Sequence, residues 1–196
     1  GRKPADISGK DVILTLIGMI GVDGALYQSL EFTGEGVADL SMTDRLTIAN
    51  MAIEAGGKNG IFPYDDVCKE YVEGRMTGTF EPVNPDPDVS YARTVEINLS
   101  ELRPVVSFPH LPENTKRVMD IAEPIAIDQV VIGSCTNGRL EDMEIAAEIL
   151  KGHTVHERVR CIIIPGSPWV YQESMRRGYL DIFMEAGAAI STPTCG

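Results

Sequence analysis

Histidine is scarce in this chain, with three in 196 residues, and basic residues are outnumbered, 17 Lys and Arg against 29 Asp and Glu. The first shortage argues against a histidine-rich metal site. The second leaves a formal net charge of −12, which argues against nucleic acid or an anionic membrane as the main partner. No apolar run reaches the ~18 residues that a membrane span needs. The opening "GRKPADISGKDV" has none of the apolar stretch of a secretory signal. Cysteine is sparse too, with Cys68, Cys135, Cys161 and Cys195 spread widely. That spacing excludes a dense disulfide scaffold and lacks the paired cysteines of a structural zinc site. A reduced, cytoplasmic compartment is expected, where these are structural thiols, metal ligands or nucleophiles.

What is present is an ordinary globular composition, 43% hydrophobic and 23% charged, long enough to bury a core as one large domain or two small ones. In "SGKDVILTLIGMIG" the apolar residues recur at helical spacing behind Ser8 as N-cap. "ALYQSLEF" reads as a strand. Ser41 or Thr43 caps a helix through "RLTIANMAIEAG", stopped by Gly56. A short helix precedes Glu73, and "MTGTFEPVNPDPDVS" is a loop of proline, glycine and acid. "ARTVEINLSEL" predicts another strand. "RPVVSFPHLPENTKRV" is punctuated by proline and reads as a linker, which places a domain boundary near Pro104 and gives domains 1–103 and 104–196.

The second half alternates β-branched runs with helices. "DQVVIGS" precedes a helix with Leu140, Met143, Ala147 and Leu150 on one face. "RVRCIIIPGS" precedes a helix capped by Ser167 with Pro168 at its first position. "AAIS" is a third strand. Runs apolar on both faces, alternating with helices, predict an α/β fold with a mainly parallel sheet covered on two sides.

In such a sheet, ligands bind beyond the carboxyl ends of the strands. Cys135 follows "VVIGS" and Cys195 follows "AAIS", so both stand at strand exits. Cys161 lies within a strand and Cys68 within a helix, and both read as core thiols. A small buried thiol is the commoner meaning of any one cysteine. A nucleophile elbow at Cys135 would have Gly133 in place, but Asn137 stands where the second glycine belongs, and no histidine is placed as its base. An iron–sulfur site instead needs thiolates from separate loops with donors around them. Gly133, Thr136 and Asn137 offer that environment.

These residues carry a resemblance. "IGSCTNGRLEDMEIAAEILKG", "PGS", "EAGA" and the terminal "TCG" resemble the aconitase superfamily, in its branch of 3-isopropylmalate dehydratase and homoaconitase large subunits. "IGMIGVDGALYQSLEFTGEG" and "MTDRLTIANMAIEAGGKNGIFPYDD" agree in order, so the likeness covers essentially the whole chain. It implies aconitase-like three-layer α/β/α domains and a 4Fe–4S cluster held by three cysteines. It implies dehydration and rehydration of a small hydroxy-di- or tricarboxylic acid, in leucine biosynthesis for the first of those enzymes. By resemblance, Cys135 and Cys195 are cluster ligands, and the third cysteine of the pattern falls beyond Gly196. Asn50 and Asn137 belong to the cluster surroundings. Glu54 is catalytic, hydrogen-bonding near the water or hydroxyl at the open iron. The spacing of four predicts Asn50 and Glu54 on one helix face. Taken alone, Glu54 would read as a solvated carboxylate near a helix end.

The family's N-terminal catalytic histidines and aspartates have no match here. Its serine base belongs to a swivelling domain, a separate small subunit in this branch and the expected partner. The sequence thus reads as the middle of a large subunit, inactive alone. Other readings are homoaconitase, aconitase or another small-acid dehydratase, a scaffold or partner-binding domain without a cluster, and a cysteine hydrolase. An RNA-binding role, known in one branch, is disfavoured by the acidic charge.

Overall fold

Residues 1–195 are described in a computed structural model, and they fall into two compact units, Gly1–Ala122 and Glu123 onward. The family-type α/β architecture expected from the sequence is present in helices joined to mostly parallel strands.

The first unit is organised by α1 (Gly9–Ile20). Ser8 stands in extended backbone at its start, and the Asp11 carboxylate accepts from the Ser8 N–H at 2.9 Å. That bond is part of a capping box, which satisfies amide donors that a helix start leaves free. Ile13 and Ile17 are fully buried, with Val12, Leu14 and Leu16 nearly so. Each such aliphatic side chain contributes roughly 1.5–3 kcal/mol when removed from water. Beside it runs α2 (Met42–Asn50), capped by Ser41. Asp44 joins the two helix starts, accepting the Gly9 N–H at 2.6 Å. Gly9 is needed there, because a Cβ would come within 2.5 Å of the Asp44 carbonyl oxygen. Strands β1 (Ser29–Glu31) and β2 (Asn59–Ile61) pair in parallel, and α3 (Asp66–Val72) follows.

The expected strand over "ARTVEINLSEL" does not form. No helix or strand occurs from Glu73 to Asn98, and Leu99–Glu101 is a 3-10 turn. A β-prone segment still needs a partner edge, and Val95 and Ile97 pack on the α1 core instead. Nor does the chain divide at Pro104. Strands β3 (Val105–Ser107) and β4 (Thr115–Arg117) form an antiparallel hairpin that belongs to the first unit. Its backbone is tied there: Val105 N–H donates to Asp11 at 2.9 Å, and the Thr115 hydroxyl donates to the Leu14 carbonyl at 3.2 Å. The prolines that suggested a linker turn this hairpin instead.

Arg45, on α2, is 1% exposed. Its guanidinium holds Asp65 through two bonds of 2.6 and 2.7 Å, and also donates to the Leu40 and Val37 carbonyls. The Arg45 hydrogen bond lowers the Asp65 pKa below its usual 3.8. A carboxylate whose folded pKa is depressed contributes stability above its unfolded pKa and loses it as pH falls through the folded value. We expect Arg45→Met to destabilise the first unit by about 3 kcal/mol at neutral pH, because it strands buried partners. The wild-type advantage in urea midpoint should shrink as pH is lowered below the usual carboxylate range. Equal midpoints at neutral pH would contradict this account.

In the second unit β5 (Gln129–Gly133), β6 (Arg160–Ile164) and β7 (Ala189–Ile190) form a parallel sheet in the order β5-β6-β7. Between them run α4 (Ser134–Asn137), α5 (Leu140–Leu150), α6 (Pro168–Arg176) and α7 (Tyr179–Glu185). Met143 and Ala147 of α5 bury against Ile163 and Phe183, as the spacing predicted. Ser167 caps α6 by accepting the Val170 N–H at 3.2 Å. β5, expected to be apolar on both faces and therefore buried, is an edge strand here, with Val131 51% exposed. Among the described residues no helix is long and apolar enough to cross a membrane.

Candidate functional site

The site is built from strand ends. β5 ends at Gly133 with φ +109°, and Ser134 follows at φ +71°. Positive φ is uncommon for a serine, and here it turns the chain sharply from strand into α4. Gly133 can have no side chain, since a Cβ would overlap the Ile164 carbonyl oxygen on β6. The turn then locks onto the exit of β6, where the Gly166 N–H donates to the Gly138 carbonyl at 2.7 Å. A Cβ on Gly138 would come within 2.6 Å of the Gly166 nitrogen. "GSCTNG" and "PGS" are thus two turns packed backbone to backbone, which glycine alone permits.

Cys135 rides on this turn, half-buried. On the far side of β6, the Ser191 N–H donates to the Ile163 carbonyl at 2.9 Å and steers the exit of β7. The chain then reaches Cys195, which is exposed. The two sulfurs lie 3.4 Å apart. That is too long for a disulfide, whose bond is ~2.05 Å, and both are free thiols. Their shared hydrogen bond, and then the Cys135 charge, push the Cys195 thiol above its ordinary range. Cys161 is buried in β6, and desolvation pushes its thiol up as well. Cys68 lies in α3 of the first unit, half-buried.

Asn137 is directed by α5. Its Nδ2 donates toward Asp142 Oδ1 at 3.5 Å, while the Arg139 N–H donates to Asp142 Oδ2 at 2.9 Å. Asp142 therefore braces the turn that carries Cys135, a role the sequence reading missed. Its signal was available, as an acid three positions after Arg139 at a helix start is a capping pattern. The Pro165–Ser167 turn was likewise noted for resemblance and not for packing.

Asn50 and Glu54 belong to the first unit and are both exposed. The helical face predicted for them is broken. Asn50 is the last residue of α2, and Met51–Ala55 continues as a 3-10 helix ended by Gly56 at φ +78°. With about three residues per turn, a spacing of four no longer keeps two side chains in register.

Thiols are soft ligands suited to iron–sulfur chemistry. Cys135 and Cys195 fit part of such a ligand set in kind and in their convergence. Among the described residues no group of three or more metal-ligating side chains occurs.

Comparison with known proteins adds an independent observation. The profile of the "Aconitase family (aconitate hydratase)" matches residues 1–124 and 119–196. Over all 196 residues the chain is 60% identical to a 2,3-dimethylmalate dehydratase large subunit of Eubacterium barkeri, covering 47% of it. It is 58% identical to a 3-isopropylmalate dehydratase large subunit of Acetivibrio thermocellus and 57% to that of Caldicellulosiruptor bescii, covering 46% of each. The chain thus spans about half the length of the curated relatives it matches.

Proposed function

The chain belongs to the aconitase family, and from that premise we propose that it is the central part of the large subunit of an iron–sulfur hydro-lyase. Its substrate is an alkyl-substituted malate, and 3-isopropylmalate is the first candidate. The reaction interconverts 2- and 3-isopropylmalate by dehydration and rehydration, a step of leucine biosynthesis. The observation that carries the reading is the pair of thiols meeting at two strand exits. It is supported by the chain's identity, at more than half its positions, with named large subunits.

Cys135 and Cys195 would hold two corners of a 4Fe–4S cluster, which when bound supplies a Lewis acid for the leaving hydroxyl. Asp142 holds the Asn137–Arg139 turn so that Cys135 keeps its direction. Asn50 supplies an amide to the cluster surroundings. Glu54 hydrogen-bonds the departing or entering water and holds its proton. The base that acts on the adjacent carbon comes from a small-subunit partner carrying the swivelling domain, and the present chain alone is inactive.

A second reading, 2,3-dimethylmalate dehydratase, is favoured by the 60% identity to the Eubacterium barkeri subunit. The two differ only in the alkyl groups on a shared malate frame. The test is the full-length subunit, loaded with iron and sulfide and mixed with its small subunit, offered 3-isopropylmalate and 2,3-dimethylmalate in turn. Turnover of the first at the higher kcat/KM is expected, and activity with neither would refute the proposal. In the same assay Glu54→Gln should lower kcat by roughly 10²–10⁴-fold, the range for a proton-transfer group. Its melting temperature should stay near wild type, because Glu54 is exposed. Early melting with normal turnover per folded molecule would assign Glu54 to stability instead.

A further inference from the structure

The first unit holds a cleft that the hydro-lyase chemistry does not use. It has a volume of about 250 Å³ and is lined by Thr15 and Gly18 of α1, Val105 and Thr115 of the hairpin, and the Leu102–Arg103 step between them. We propose that this cleft binds a small aliphatic carboxylate bearing a 2-hydroxy or 2-oxo group. Arg103 takes the carboxylate, and Thr15 bonds the oxygen on the second carbon. Neither residue belongs to the thiol pair or to the Asn50–Glu54 stretch, so the cleft stands independently of the proposed catalytic site.

Charge is the first argument. The chain carries a net charge of −12, yet Arg103, Lys116 and Arg117 all line this cleft, with Glu101 as the one acid in its lining. Such a local field concentrates anions. Arg117 already pairs with Asp120 at 2.7 Å, and the Lys116 ammonium lies over the Phe108 ring, 5.0 Å from its centre. Arg103 pairs with no carboxylate among the described residues. Its Nη1 donates to the Leu102 carbonyl at 2.6 Å and reaches the Ser100 carbonyl at 3.5 Å. That tether fixes one corner of the planar guanidinium. The Nε–Nη2 edge stays open, and it is the kind of fork that takes a carboxylate through two parallel bonds.

The second argument is an orphaned hydroxyl. Thr15 Oγ1 is buried and meets no hydrogen-bond partner among the described residues. A buried hydroxyl left so carries an uncompensated desolvation cost, which a ligand oxygen would remove. Thr115 differs, because its hydroxyl already bonds the Leu14 and Pro112 carbonyls. Leu102 and Val105 supply apolar lining for an alkyl body. The volume equals about eight waters at ~30 Å³ each and lies below the ~300–1,000 Å³ of pockets for larger ligands, so a nucleotide is too big. Inorganic phosphate suits the donors poorly. Phosphate sites draw on backbone N–H groups at helix starts and turns, whereas this cleft flanks the body of α1, and the Val105 N–H is already given to Asp11.

The test titrates the full-length subunit, free of iron and of its small subunit, with 2-hydroxy-3-methylbutanoate, read by calorimetry and saturation-transfer NMR. Saturable one-to-one binding is expected. Arg103→Gln should weaken it ~10-fold or more, as loss of a charge-assisted pair requires. Arg103→Lys should recover only part, since it keeps the charge and loses the fork. Thr15→Val, of nearly the same shape, should weaken binding ~2–10-fold. Arg103 is exposed, so its variants should fold, and circular dichroism checks all three. The wild-type subunit decides even if a variant folds poorly. On it 3-methylbutanoate, which lacks the 2-hydroxyl, should bind more weakly, as should inorganic phosphate and the uncharged 3-methyl-1-butanol. Absence of saturable binding, any of those three compounds binding as tightly as the hydroxy acid, or undiminished affinity in folded Arg103→Gln or Thr15→Val would each overturn the proposal. Glu54→Gln should bind the acid as wild type does. Loss of binding in that variant would place the acid at the catalytic site and overturn the proposal as well.

Discussion

In the full-length subunit, Cys135→Ser and Cys195→Ser are each expected to reduce iron and acid-labile sulfide per folded chain to background. Cys68→Ser and Cys161→Ser should leave both contents near wild type. Loss of contacts that merely support a ligand already costs ~10–100-fold in metal affinity, so removing a ligand should cost at least that. The sulfurs of Cys135 and Cys195 converge to 3.4 Å, whereas Cys161 is enclosed in β6. Serine replaces a soft thiolate by a hydroxyl while keeping the volume nearly constant, so the fold should survive. Circular dichroism beside the iron assay checks this. If Cys161→Ser empties the folded subunit and Cys135→Ser does not, the ligand assignment fails and the proposed chemistry loses its basis.

Gly133→Ala should have the largest effect on stability. Two costs add. The backbone at φ +109° is one that side-chain-bearing residues rarely adopt, and the new methyl would overlap the Ile164 carbonyl oxygen. Backbone oxygen on a neighbouring strand cannot move aside without breaking the β5–β6 ladder. Strain of ~1–3 kcal/mol and overpacking of ~1–3 kcal/mol give about 4 kcal/mol in all. That is a large share of a small unit's stability. Urea unfolding of the second unit, followed by its single tryptophan, Trp169 on α6, should show the midpoint falling steeply. A change under about 1 kcal/mol would mean that the strand exit relaxes easily, and that its geometry is not what orients Cys135. A Gly152→Ala control separates the causes, because Gly152 has φ +75° with open space around it.

Several features of this molecule were fixed by short-range chemistry and could be read directly. The caps at Ser8, Ser41 and Ser167 stand where the helices begin. The buried side of α5 follows from apolar spacing, and Gly56 closes its helical segment at positive φ. These depend on residues within about four positions of one another. The parallel character of the β5-β6-β7 sheet, and the placing of Cys135 and Cys195 at strand exits, were also legible. Alternating strands and helices leave little other choice of topology.

What the sequence did not decide depends on partners far away along the chain. "ARTVEINLSEL" has strand composition, yet it pairs with no strand, and its Val95 and Ile97 pack on the α1 core as irregular chain. The prolines around residues 104–112 suggested a linker, but Asp11 and Leu14 capture the hairpin that they turn. β5 has the composition of a buried strand and stands at an edge of its sheet. The helical register assumed for Asn50 and Glu54 was lost because α2 tightens into a 3-10 helix at Met51. The meeting of Cys135 with Cys195, sixty residues apart in sequence, required strand order, register and two glycine-lined turns to act together. Residue types and local spacing put a thiol at each exit, and only the packed sheet decided that both exits open on the same point.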